Sequence, residues 1–126
     1  QNLLYGAAVA GMVIANTGTS PVHTLGYSLT YYHGVPHGRA NGLLLPAFLE
    51  HCLQKDRPRA ERVYAALGMR AAEFSGKIGA LLGQREYYSD SELRAWANKA
   101  AQSRKKCAIP FTEDELFAVL KESVGR

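Results

Sequence analysis

Apolar positions recur at helical spacing through most of the chain, and no segment alternates convincingly with period two. The pattern therefore predicts an all-α domain, a helical bundle. Leu3, Leu4, Ala7, Ala8 and Gly11 open a first helix, Leu3 to Asn16, which the Thr17-Gly18 turn ends. Ser20 stands as a cap and Pro21 as the first residue of a second helix, which should close near His33-Gly34 ahead of Pro36. A third helix begins around His37 or Gly38. Leu43, Leu44, Leu45, Phe48, Leu49 and Cys52 make it apolar nearly all round, so it is expected at the centre of the core, with a kink at Pro46. Further helices fit Pro58 to Leu67, Ala71 to Leu82 and Ser91 to Arg104, separated by Gly68, Gly83 and the Ile109-Pro110 break. The closing helix is the best signalled, because Thr112-Glu113-Asp114-Glu115 forms a capping box ahead of Leu116, Phe117, Val119 and Leu120.

Composition narrows the class. With 126 residues, 47% hydrophobic and 21% charged, the chain suits one compact soluble domain rather than a disordered segment. The apolar run from Leu3 to Ala15 is interrupted by Gly6 and Gly11 and is too short to span a bilayer, so no membrane association is expected. No basic stretch precedes it as in a signal peptide, and the expected location is cytoplasmic. Cys52 and Cys107 fit neither a metal knuckle nor a disulfide scaffold and read as free thiols in a reducing compartment. The net charge of +4 comes partly from Lys55, Arg57, Arg59 and Arg62 and from Arg104, Lys105 and Lys106. These clusters lack interleaved aromatic residues and read as solvated helix faces, with no nucleic acid partner. The first helix starts without a cap or an initiator methionine, as in a piece of a longer protein. Its apolar face should then be exposed where a missing segment docks, and it offers a surface for pairing into a homo-oligomer.

The chemistry gathers in "PVHTLGYSLTYYHGVPHGRANGLLLP", Pro21 to Pro46. Histidines are costly to bury unless their ring nitrogens find partners. His23 shares a helix face with Tyr27, four residues on. His37 opens the next helix after Pro36, where Gly38 should allow close backbone approach. Packing of the two helices would bring His23 and His37 together as ligands of one metal, although two histidines satisfied by carbonyls in a helical core would share the same spacing. Two imidazoles are fewer donors than a divalent ion normally takes from a protein. Nothing in the chain arranges Ser-His-Asp or Cys-His for nucleophilic catalysis. A glycine-rich GxGxxG dinucleotide fingerprint is also absent.

Ala10-Gly11, His23, Gly26 and "GVPHGRANGLLLP" resemble the C-terminal helical domain of the iron-containing alcohol dehydrogenases. "RAAEFSGKIGALL" and "IPFTEDELFAVL" extend the likeness more loosely across the chain. The resemblance implies a partial C-terminal metal-binding domain over residues 1–126, with the N-terminal α/β domain that binds NAD or NADP outside the chain. It assigns the family's metal-ligating histidines to His23 and His37 and puts an aspartate and a third histidine on an earlier helix, before Gln1. The implied cofactors are a divalent metal, Fe2+ first and Zn2+ second, and NAD or NADP in the longer parent. The implied partners are a small alcohol or aldehyde and the missing N-terminal part. Tyr27 stands where many members carry a second histidine for proton relay, and its phenol is the catalytic candidate. Such a fragment should be inactive alone, while its parent interconverts alcohols and aldehydes. Glycerol dehydrogenases and dehydroquinate synthases typically show HGE where this chain has His37-Gly38-Arg39. Maleylacetate reductases usually follow PHA with another histidine, also absent here. A non-enzymatic helical interaction module is the reading from another class. His33 and His51 have no assigned counterpart and read as surface or capping side chains.

Overall fold

The computed structural model describes residues 2–17, 19–103 and 107–125, which form seven α-helices and no strand. They are α1 (Asn2–Thr17), α2 (Pro21–His33), α3 (His37–Lys55), α4 (Arg57–Leu67), α5 (Ala71–Leu82), α6 (Asp90–Ala101) and α7 (Glu113–Val124). The all-α bundle expected from the periodicity is the fold. The α6 range differs from the expected Ser91 to Arg104, and Arg104, Lys105 and Lys106 lie outside the described residues.

Helix α3 is the hub, packing against α2, α4, α5 and α7, while α6 lies against α7 and α2. Leu44 of α3, Leu25 and Leu29 of α2, Leu93 of α6 and Leu120 of α7 are all 0% exposed. Leu43 and Phe48 are buried as expected. Leu45 is only partly so, because it lies toward a smaller cluster of Leu49, Tyr64 and Phe74 at the edge of the core. Pro46 sits inside α3 without ending it.

The ends of the helices follow local chemistry, with two departures from expectation. Gly34 adopts φ 67°, the left-handed conformation that closes α2, and its amide donates to Thr30. Thr112 and Glu115 form the expected capping box of α7. Ser20 precedes α2 but its hydroxyl makes no capping hydrogen bond. Helix α6 starts earlier than read, because the Ser89 amide and hydroxyl both donate to Glu92 Oε2, at 3.1 and 2.6 Å. Asp56, not anticipated, caps α4 by accepting from the Arg59 amide at 3.1 Å.

Helix α1 stands apart from the core. Residues 2–16 are exposed throughout, including Leu3 at 90%, Leu4 at 78% and Tyr5 at 75%. The exposed apolar face expected from the sequence is therefore present. No helix of the described residues is long and apolar enough to cross a membrane.

The basic cluster around α4 is engaged with carboxylates: Lys55 with Glu115, Arg57 with Glu61 and Arg59 with Asp56. Cys52 is buried and Cys107 half-buried, and both are free thiols. Burial is the main cause that pushes the Cys52 thiol up to about 11, so it stays protonated at neutral pH.

Candidate metal centre

The site lies between the first two turns of α2, which carry His23, Gly26 and Tyr27, and the start of α3. Gly34 reverses the chain and Pro36 takes the position just before α3, so His37 is the first residue of that helix. The next turns of α3 lie along α2. With Leu25 and Leu29 in the core, His23 and Tyr27 occupy another face of α2, His23 half-buried and Tyr27 exposed.

Packing brings the two sequence-predicted histidines together. The His23 and His37 ring centroids are 5.3 Å apart, with the planes inclined by 57°. An imidazole bound to a metal at about 2.0–2.1 Å has its centroid about 3 Å from the ion, so two on a tetrahedral ion lie about 5 Å apart. The observed separation fits that geometry. Tyr27 stacks on His37 at 5.2 Å and 24°.

His37 also has a partner on its own helix. Asn41 Nδ2 lies 3.0 Å from His37 Nε2, one turn further along α3. Asn41 is held in turn by the close approach of α2. A Cβ on Gly26 would collide with Asn41 Oδ1 and come within 3.3 Å of its Cγ. A side chain at Gly26 would thus oblige the Asn41 side chain of the next helix to shift. Gly38 has no such role, since a Cβ there would meet nothing within 4 Å.

Arg39 fastens the same end of α3 to the segment after α5. Its Nε donates to Glu86 Oε1 at 2.6 Å and its Nη1 to the Leu82 carbonyl at 2.6 Å. Nη2 donates to Glu86 Oε2 at 3.0 Å and to the Gln84 carbonyl. The hydrogen bond from Arg39 holds the Glu86 carboxyl below its ordinary range.

His33 is at the surface as read and His51 is half-buried, and both reach carboxylates of other helices. His33 Nε2 lies 3.1 Å from Glu92 of α6 and its ring packs against Tyr88 and Trp96. His51 Nε2 lies 3.1 Å from Glu122 of α7. Both tie helices together. Among the described residues, no group of three histidine, cysteine, aspartate or glutamate side chains converges on one point. The packing therefore brings two imidazoles together with no third such side chain beside them among the described residues. Sequence reasoning found this pair and Tyr27 but gave no role to Gly26, Arg39 or Asn41. The one local signal was the four-residue spacing from His37 to Asn41.

Residues 1–124 match the model of the Fe-containing alcohol dehydrogenase family, C-terminal, and the chain belongs to that family. Its fold is similar to the crystal structure of the iron-containing alcohol dehydrogenase of Thermotoga maritima, with a TM-score of 0.77 and 31% identity. The likeness covers 91% of this chain and 32% of that one. A second crystal structure of an iron containing alcohol dehydrogenase has the same TM-score of 0.77 and the same 31% identity. The chain spans 32% of the length of these relatives. No curated protein matches it.

Proposed function

We propose that the chain is the metal-binding helical part of an NAD(P)-linked alcohol dehydrogenase that interconverts alcohols and aldehydes. The observation that carries this reading is the 5.3 Å approach of His23 and His37 within a family match over residues 1–124. His23 and His37 would hold a divalent ion, iron first and zinc second, each through one neutral imidazole nitrogen. The remaining ligands, an aspartate and a third histidine, and the nucleotide domain belong in this reading to the longer protein.

When bound, the ion supplies Lewis acidity toward the alcohol oxygen and the nicotinamide accepts the hydride. This chain's residues orient and protonate. Asn41 and Tyr27 fix the His37 ring from its edge and its face. An Nε2 lone pair that accepts from the Asn41 amide is not free for an ion, so Asn41 would hold a ligating His37 with its amide turned to accept from Nε2–H, leaving Nδ1 as the donor to the ion. The Tyr27 phenol, on the exposed side of the pair, donates a hydrogen bond toward the alcohol oxygen in place of a relay histidine.

The reading is tested by titrating zinc into the chain and into His23→Ala and His37→Ala, with helical content followed by circular dichroism. Both substitutions should weaken zinc binding by about 10-fold or more while leaving the helical signal in place. Unchanged affinity in either variant would overturn the reading.

A further inference from the structure

The lysines of the described residues divide into two kinds. Lys55, Lys77 and Lys121 each sit against a carboxylate, at 2.6, 3.4 and 2.6 Å. Lys99 of α6 faces aromatic rings instead, with Nζ 5.9 Å from the Tyr31 centroid and 5.6 Å from that of Tyr32. No carboxylate pairs with it among the described residues.

Beneath this ammonium lies a cavity of about 460 Å³ lined by Thr24, Tyr27, Ser28, Thr30, Tyr31 and Lys99. Tyr27 forms one wall and is also the ring stacked on His37, so the cavity adjoins the histidine pair. Thr30 Oγ1 is buried there without a hydrogen-bond partner. His23, Tyr27 and Tyr31 follow one another at four-residue steps along α2, a span of about 12 Å at 1.5 Å per residue. One end of that span carries the two imidazoles, and the other carries an uncompensated positive charge over an aromatic floor.

We propose that this cavity receives the far end of the substrate, and that the substrates are alcohols or aldehydes bearing a carboxylate remote from the reacting carbon. The inference rests on the metal-dependent reading above. The carbon skeleton lies on Tyr27 and Tyr31, and the carboxylate takes a charge-assisted hydrogen bond from Lys99 Nζ. A neutral substrate makes the same apolar contacts and leaves the ammonium against the rings alone.

Ligand-observed NMR on the chain, without metal, compares 4-formylbenzoate with benzaldehyde. The carboxylate should bind about 10-fold more tightly, as one charge-assisted hydrogen bond implies. Lys99→Gln should remove that difference and Lys99→Arg should keep it. Equal binding of the two probes, or a difference that survives Lys99→Gln, would overturn the inference. Lys99 is exposed, so these substitutions leave the core intact. Zinc titration of the same samples reports on the metal reading separately: failed zinc uptake with the carboxylate preference intact counts against the proposed function and for the anion site.

Discussion

Asn41 shows how few atoms position the candidate ligand. Its amide reaches His37 Nε2 at 3.0 Å, and the bare backbone of Gly26 leaves the space its carbonyl oxygen fills. Gly26→Ala should force the two helices apart or turn Asn41 away, costing about 1–3 kcal/mol as overpacking of a tight contact. A urea melt measures that loss, and zinc titration of the folded variant should show weakened binding as His37 loses its tether. The histidines themselves were legible in the sequence, because PHG and the four-step spacing of His23 and Tyr27 are local patterns. The Gly26–Asn41 contact was not, since it exists only once two helices lie against each other. The same limit explains Gly38, whose expected close approach falls instead on a glycine of the neighbouring helix.

At the scale of the element, helix ends were readable where one capping arrangement dominates. Thr112 to Glu115 offers one such box, and the helix begins there. Removing its hydroxyl with Thr112→Ala should cost about 1 kcal/mol, read as a lower thermal midpoint. Ser89-Asp90-Ser91-Glu92 offers two candidate caps, and Ser89 prevails because Glu92 then stands at the third helical position and accepts from both the Ser89 amide and hydroxyl. Periodicity placed the interior of all seven helices but left such boundaries open, because facing side chains decide them.

Across the whole molecule, carboxylates tie the bundle together and set its response to acid. Glu86, Glu92 and Glu115 all lie below their ordinary value of 4.5. The leading causes are hydrogen bonds from Arg39, Ser89 and Lys55 respectively. A carboxyl whose folded value is depressed contributes stability that is fully present above the unfolded value and is lost as pH falls through the folded one. The urea midpoint should therefore hold from neutral pH down to about 5 and decline below about 4.5. Glu86→Gln should flatten part of that decline, and an unchanged profile in this variant would show that the Arg39 clamp contributes nothing to it. The overall architecture was legible because the apolar stripes of α2 to α7 need a shared core. The exposed apolar face of α1 was anticipated too, as a docking surface left without a partner in this chain.

Pro46 has a dynamic consequence. Proline has no amide hydrogen, so the hydrogen-bond ladder of α3 lacks the rung that would end on the Gly42 carbonyl. The turns before this gap carry His37, Arg39 and Asn41 together with Ala40, Leu43 and Leu44 of the core, and the turns after it carry Phe48, Leu49 and Cys52. Fraying that starts at His37 meets the buried Ala40 and Leu43 before it reaches the missing rung. The amides of the exposed first turn, ahead of Ala40, should therefore exchange sooner than those of the buried turns around Leu43 and Leu44, which hydrogen exchange measures. The first turn of α3, which carries the His37 imidazole, can then adjust its position while Leu43 and Leu44 keep the hub of the bundle packed.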